Sequence, residues 1–238
     1  MTRMVGAIAF AIALTAASAT ALAGGDATAT QKKPLRYAEH DLFIETNATD
    51  GDAGLQLNLD AEDWRTLTIR DPSGDAIVGV QAKGPLRPLG LTELFFEASE
   101  PSFDEVPFSR FKKRFPEGRY TFRGRTVEGR RLAGADRLSH VVPARPNVTF
   151  PADGAELDAD GFTVTWEPVT RPAGVDISTY VVTVVQGERE LSMDLPGSAT
   201  SASIPGEFLE PGVKSELEVL SREKSGNQTI TALKFRTR

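Results

Sequence analysis

An acidic stretch in the second half of the chain has residue types that suit a hard cation. Glu156, Asp158 and Asp160, followed by Glu167, match ligand positions of a calcium-binding loop, with Glu replacing Asp at the first position. Such a loop needs a helix on each side, whereas residues 162–166 alternate as a strand. We therefore interpret the stretch as a polar turn between strands, with a partial calcium site as the alternative.

A second oxygen-rich group surrounds a predicted hairpin. Glu45, Asn47, Asp50 and Asp52 carry carboxylate and amide oxygens, which also suit a hard cation. Asp and Asn are common in such turns because their side chains bond to the nearby backbone. A turn is the favoured interpretation, and Asp50 and Asp52 stay candidate metal ligands beside Glu156, Asp158 and Asp160.

Catalytic chemistry has little support in these residues. The chain has no cysteine and only two histidines, His40 and His140, and it lacks a Gly-x-Ser-x-Gly nucleophile motif. We predict no catalytic or cofactor-binding residue and no enzyme activity. A carboxylate pair that hydrolyses envelope glycans stays an open alternative, because carboxylates are abundant and their separation is not encoded locally.

Charge is unevenly distributed along a chain with a net charge of −6. Residues 39–105 are mostly acidic, and residues 110–137 are mostly basic. We interpret the two runs as parts of one fold that neutralise each other. The basic run contains aromatic residues, but their alternation predicts that the rings face the core, so no nucleic-acid partner is expected.

The N-terminus predicts export. Arg3 precedes a short apolar run, and an Ala-x-Ala-like site ends at Ala23, so residues 1–23 are interpreted as a cleavable signal peptide. The apolar run is shorter than the roughly 20 residues of a membrane-spanning helix, and no membrane anchor is expected after cleavage. The absence of cysteine excludes disulfides and a lipid anchor on cysteine. Composition suggests a bacterial protein, periplasmic or secreted, and residues 24–36 read as a disordered lead-in.

Residues 37–143 have the period-two pattern of short strands. Leu55, Leu57 and Leu59 alternate with polar residues, and residues 49–54 predict a tight hairpin turn before them. Residues 67–70 and 77–82 predict a second strand pair. One helix is expected, capped by Asp104, with an apolar face made of Phe108, Phe111 and Phe115.

Residues 143–146 contain two prolines and predict a stiff linker to a second domain, residues 144–238. Strands are expected at regular spacing there, with no helix: residues 148–150, 162–166, 179–185, 190–193, 201–204, 216–221 and 229–236. The predicted fold class is therefore all-β, with two tandem antiparallel β-sandwich domains, the first with one short helix.

The second half resembles a fibronectin type III domain. The resemblance lies in Trp166 on an early strand, in Tyr180 leading alternating valines, and in the Leu-Glu-Pro-Gly turn at residues 209–212. Ser215 stands where the family usually has a corner tyrosine, so we expect packing to hold that corner. The first half is similar, through the run at residues 116–122, to immunoglobulin-like modules of exported bacterial proteins.

The sequence thus predicts a non-enzymatic exported module that presents two sandwiches to a protein or glycan partner. A calcium-stabilised module and a carboxylate-based hydrolase are the alternatives. The resemblance to fibronectin type III domains implies a fold and no particular ligand.

Overall fold

The computed structural model describes residues 33–238, and the residues from Pro34 onward form one compact unit. The predicted signal peptide and most of the predicted lead-in lie outside the described residues. Within the described part, no helix combines the length and the apolar character that crossing a membrane requires. The end of the predicted lead-in is paired: the Leu35 N–H donates to the Arg131 carbonyl at 2.8 Å, and the Leu35 carbonyl accepts from Ala133 at 3.0 Å.

Residues 33–238 are mostly β-strand, with two antiparallel β-sandwiches in tandem and one short α-helix in the first. The elements of the first half are β1 (Glu39–Asn47), β2 (Asp52–Arg70), β3 (Ala76–Gln81), β4 (Leu91–Glu97), α1 (Phe108–Arg114), β5 (Gly118–Thr126) and β6 (Arg131–Leu138). The second half contains β7 (Asn147–Phe150), β8 (Ala155–Leu157), β9 (Gly161–Glu167), β10 (Ile177–Gln186), β11 (Arg189–Pro196), β12 (Ser201–Pro205), β13 (Lys214–Glu223) and β14 (Gln228–Thr237).

The first sandwich is organised by the long strand β2. Its first part pairs with β1 and β4, and its second part pairs with β3 and β5, with irregular register between Asp60 and Thr66. Leu57 before the bend and Leu67 after it belong to the same buried core. The sequence predicts two short strands here, but buried Trp64 continues the apolar pattern through the bend, so that the two join.

Helix α1 covers part of this core with its predicted phenylalanine face. Phe111 is buried, and its ring contacts those of Phe108 and Phe115 at centroid distances of 5.9 and 5.0 Å. The predicted cap was wrong: Pro107 occupies the N-cap position, and no side chain caps the helix. The start shifts toward Phe108 because proline fits the beginning of a helix without an unsatisfied N–H.

The second sandwich has the strand arrangement of a fibronectin type III-like fold. One sheet has the order β12–β9–β7, and the facing strands follow the order β11–β10–β13–β14, with β8 beside β14. The core between the sheets includes Trp166, Tyr180 and Val219. All seven predicted strands are present, and the short strand β8 is additional.

The corner at Ser215 is held by hydrogen bonds, which corrects the expectation of packing. Gln186 Nε2 donates to the Ser215 hydroxyl at 2.8 Å, and Gln186 Oε1 accepts from the Glu210 N–H at 2.6 Å. Gln186 and Ser215 are both buried. The longer side chain of Gln186, on the neighbouring strand, therefore connects the Ser215 hydroxyl to the backbone of Glu210 and holds the corner.

The two hydrophobic cores lie on either side of the Pro143–Pro146 segment, but strand pairing crosses it. Strand β14 runs parallel to β1, with Glu45 opposite Gln228 and Asn47 opposite Ile230. This pair joins the two halves into one continuous sheet. The domain boundary at residues 143 and 144 stays a prediction.

Candidate functional site

Three glutamates converge on one side of the continuous sheet, close to the β1–β14 pair. Glu45 lies on β1, Glu97 ends β4, and Glu100 follows in the loop after β4. Each offers a carboxylate oxygen within 4.8 Å of those of the other two. We call these residues the carboxylate cluster. Such an arrangement can share a proton or supply oxygen ligands to a hard cation.

Strand β2 brings the cluster together because it lies between β1 and β4. Glu45 is opposite Gly54, and Glu97 is opposite Gln56. Gly54 is required for the third member: a Cβ atom at this position would lie 2.6 Å from Oε1 of Glu100. Glycine inside a strand thus leaves the space that the Glu100 side chain occupies.

Burial and mutual repulsion favour the protonated form of these carboxyl groups. The pKa of Glu100 is raised to about 8, chiefly by burial and then by the negative charges of Glu97, Glu45 and Asp52. Burial also raises the pKa of Glu45, whereas hydrogen bonding to Gln228 opposes that shift. The cluster therefore retains a proton at neutral pH, which lowers the repulsion among its members.

The cluster is connected to the second sandwich through Gln228. The amide of this β14 residue donates a hydrogen bond to Glu45 Oε2, and Gln228 is buried. Glu218, on the neighbouring strand β13, has its pKa raised to about 7 by burial and then by nearby acids that include Glu45. The negative charge of Glu45 in the first half therefore raises the pKa of Glu218 in the second half, across the β1–β14 pair.

Asn227, just before β14, ties both halves together with its side chain. Its Oδ1 accepts from the Ile44 N–H at 2.8 Å, and its Nδ2 donates to the carbonyls of Ser139 and Val141, each at 2.9 Å. The residue is completely buried. One amide thus bonds to three backbone groups of the first half, among them the N–H of the fully buried Ile44.

Hydroxyl groups of β14 hold the proline-rich segment in the same way. Thr229 donates to the Pro143 carbonyl at 2.6 Å, and Thr231 donates to the Pro146 carbonyl at 2.9 Å. The hydroxyls of Thr46 and Thr229 lie 2.7 Å apart. The predicted linker is therefore fixed against the second sandwich along its length.

The structure separates the candidate ligands of the hairpin. Asp50 is exposed in the turn, where its carboxylate accepts from Asn47 Nδ2 at 3.1 Å. Asp52 is buried on β2, where strand register places it on the same side as Glu45, and its charge contributes to the raised pKa of Glu100. Glu45 and Asp52 thus lie on the same side of the β1–β2 pair, whereas Asp50 lies in the turn before β2.

The acidic turn of the second sandwich is arranged differently. Asp158 forms an exposed ion pair with Arg238, with 2.8 Å between Oδ1 and Nε. Glu156 lies on β8, and Asp160 precedes β9. Among the described residues, only the carboxylate cluster brings three acidic side chains within 4.8 Å of one another, so these residues do not form such a group. The calcium hypothesis for this turn stays a prediction.

The two histidines occupy structural positions. The His40 ring packs edge-on against Phe122, with 5.4 Å between centroids, and the residue lies within β1. His140 is half-buried, and its Nε2 lies 2.8 Å from the Phe115 carbonyl oxygen. Each imidazole ring therefore contacts another residue of the first half.

Comparison with known proteins adds little to this description. No family model matches the chain, and no curated protein matches it. Among solved structures, it is similar to the fn3 domain of the human collagen alpha-1(XX) chain, with 22% identity over 42% of this chain and 85% of that one and a TM-score of 0.32.

Two chicken proteins give matches over a longer part of the chain. The FN1-FN3 domains of chicken CNTN1 match with 10% identity over 85% of this chain and 65% of that one, at a TM-score of 0.33. A two-domain fibronectin type III segment of chicken tenascin matches with 17% identity over 83% of this chain and 98% of that one, at a TM-score of 0.31. The likeness is one of fold. At these values it carries no argument about function.

Proposed function

We propose that this protein is a non-enzymatic exported module that holds two β-sandwiches as one rigid unit and presents them to a protein or glycan partner. The observation that carries the proposal is the buried joint around Asn227. Its amide connects the loop before β14 to Ile44, Ser139 and Val141 of the first half. A flexible string of modules would not need such a joint.

The arrangement of the carboxylates favours this function over glycan hydrolysis. A retaining glycosidase keeps its two carboxyl groups about 5–5.5 Å apart, and an inverting one keeps them about 6.5–9.5 Å apart. In the carboxylate cluster one oxygen of each residue lies within 4.8 Å of the others, which is closer than either spacing, and all three side chains are partly buried. Packing of this kind supports a structural role at the joint.

The test is affinity capture with the mature chain, taken to begin at Gly24, immobilised and exposed to the protein and glycan fractions of a cell envelope. We expect a reproducible partner that soluble mature chain displaces. We also expect no release of reducing ends from envelope glycans during the same incubation. An absence of any displaceable partner, or catalytic release of sugar, would contradict the proposal.

The calcium-stabilised alternative stays a hypothesis, and the carboxylate cluster is the best-placed ligand set for it. Calcium prefers several carboxylate oxygens, and three converge here within 4.8 Å. Thermal melts with calcium and with a chelator distinguish the two functions, and Glu97→Gln serves as the ligand-deficient variant. A melting temperature that rises with calcium in the wild type but not in Glu97→Gln would favour the alternative. Superimposable curves would remove it.

A further inference from the structure

The outward face of the sheet formed by β2, β5 and β6 is rich in arginine. Thr121, Arg123 and Arg125 face outward on β5, opposite buried Tyr120 and Phe122. By the same alternation and the strand register, seven exposed arginines share this side: Arg36, Arg70, Arg119, Arg123, Arg125, Arg131 and Arg137. We call these seven residues the arginine face. The strand positions of β5 and β6 on this side carry no acidic residue.

Register places like charges directly opposite each other on this face. Arg125 is paired with Arg131, and Arg119 is paired with Arg137. Directly opposed like charges destabilise an antiparallel pair. Among pairs of residues within 33–238, only Arg189, Lys224 and Arg238 act as the cations of ion pairs, so no described carboxylate lies within ion-pair distance of the arginine face. The arrangement is unfavourable for the isolated fold and favourable for binding an anion.

A shallow, open depression lies in the centre of the face. It has a volume of about 250 Å³, and Arg123, Arg125 and Arg131 line it together with Thr66 and Ala133. The small side chains between the arginines leave room for a ligand group to approach three guanidinium groups. Arginine binds carboxylate and sulfate-like oxyanions through paired N–H donors, which lysine cannot do with the same geometry.

We propose that the arginine face binds a linear anionic polysaccharide, with one acidic group in the depression and neighbouring acidic groups along β5. This inference rests on the proposed function and names the chemistry of its glycan partner. From Arg119 to Arg125 the strand covers roughly 20 Å at about 3.3 Å per residue. That length accommodates several charged groups of an extended polymer rather than a single small anion.

Two features favour a glycan over other polyanions and over a protein. Single-stranded nucleic acid is held largely by base stacking on exposed aromatic rings. Protein interfaces combine arginine with aromatic anchors in desolvated pockets. The large exposed apolar residues of the described chain are Leu86, Leu89, Phe95, Val141, Phe150 and Val185, and none belongs to the strands of the arginine face. The face thus offers arginines with small side chains between them and no large exposed apolar residue.

The test measures binding of the mature chain to four defined polymers at equal salt concentration. Dextran sulfate and alginate carry sulfate and carboxylate groups, neutral dextran carries none, and single-stranded DNA represents other polyanions. The site variant is Arg123→Ser with Arg125→Ser and Arg131→Ser. The control variant removes three exposed cations elsewhere: Arg145→Ser with Lys214→Ser and Arg236→Ser. Both variants change only exposed side chains, and thermal melts verify that they fold.

We expect dextran sulfate, alginate or both to bind, and which of them binds identifies the acidic group. The site variant should bind at least about tenfold more weakly, the control variant should differ by less than about threefold, and raising salt from about 50 to about 200 mM should weaken wild-type binding by about tenfold. Ala133→Glu, which keeps every arginine but adds a carboxylate to the depression, should also abolish binding.

Three results would overturn the inference: no binding to either acidic glycan, equal loss in the site and control variants, or DNA binding as tight as that of the acidic glycans. The first two remove the arginine face as a site, and the third removes the glycan as its ligand. None of these three results bears on the rigid joint or on the non-enzymatic function, which have their own tests. Failure of the glycan proposal can therefore be distinguished from failure of the proposed function.

Discussion

Oδ1 of Asn227 accepts a hydrogen bond from the backbone N–H of Ile44 at 2.8 Å, across 183 residues of sequence. The two residues belong to different sandwiches, and Asn227 is completely buried. The bond continues the parallel β1–β14 pairing by one position beyond its regular register. A side-chain amide therefore extends the sheet where the strands themselves stop.

Asn227→Ala should destabilise the protein by about 2 kcal/mol, because it removes the partner of the buried Ile44 N–H and the bonds to the carbonyls of Ser139 and Val141. Urea denaturation with a fluorescence readout measures the loss. The matched control is Asn147→Ala, which removes an amide that bonds only to the exposed side chain of Glu167. Equal effects of the two substitutions would show that Asn227 does not hold the joint.

Stability should fall as pH rises, because of the carboxylate cluster. The pKa of Glu100 is raised from 4.5 to about 8 on folding, so the folded state binds more protons than the unfolded state between those values. The stability that this proton supplies is complete below about pH 4.5 and is lost as pH rises toward 8. Denaturation curves at intervals between these pH values measure the slope.

Glu100→Gln should flatten this part of the pH profile and stabilise the protein at alkaline pH, since an amide fits the site without a charge. Glu105→Gln, at an exposed position of the same loop, is the control and should leave the profile unchanged. A wild-type stability that increases between pH 5 and 8, or a profile that Glu100→Gln does not alter, would contradict the assigned cause.

Gly54→Ala should destabilise the protein by about 1–2 kcal/mol, because its Cβ would approach Glu100 to 2.6 Å. The double substitution Gly54→Ala with Glu100→Ala should recover most of the loss, since the obstructing side chain is gone. Gly79→Ala is the control: no atom lies within 4 Å of a Cβ there, and we expect a neutral or slightly stabilising effect. A double-mutant cycle by thermal denaturation tests the coupling, and additive effects would exclude it.

Gln186→Ala should cost about 1–2 kcal/mol, because the Ser215 hydroxyl and the Glu210 N–H each lose their partner at the corner. Gln81→Ala, at an exposed position on the edge strand β3, is the control. Equal stabilities of the two variants in urea would mean that packing alone holds the corner, as the sequence predicts.

Local patterns predicted much of the fold. The alternation of Val164 and Trp166 with polar residues gave strand β9, and the Asp-Gly turn chemistry located the hairpin between β1 and β2. The spacing of Phe108, Phe111 and Phe115 correctly predicted the apolar face of α1. In each case the residues that determine the element are neighbours in sequence.

The carboxylate cluster could not be predicted because its members meet through strand register. Glu45 and Glu97 come together only when β1 and β4 lie on opposite sides of β2, and no local signal specifies that pairing. Asp52 was among the candidates, but Glu97 and Glu100 were missed. Gly54 is the one sequence feature that could have indicated the carboxylate cluster, because a glycine inside an apolar alternating strand indicates that another group approaches the backbone closely.

The joint was missed for a similar reason. Asn227 follows Gly226 in a polar turn, where asparagine is ordinary, and its partners at Ile44 and Ser139 lie far away in sequence. The stiff linker that the prolines at positions 143 and 146 suggest stays a prediction. In the structure the hydroxyls of Thr229 and Thr231 bond to the carbonyls of those prolines, which the sequence does not indicate.

The rigid joint is tested most directly by a distance between spin labels placed in the two sandwiches. The chain contains no cysteine, so Glu93→Cys with Glu190→Cys introduces two unique labelling sites at exposed positions on β4 and β11. These strands are six sheet positions apart, or about 30 Å at about 4.8 Å per position. Double electron–electron resonance should give one narrow distance distribution that Asn227→Ala broadens. A broad or multiple distribution in the unsubstituted background would contradict the rigid unit.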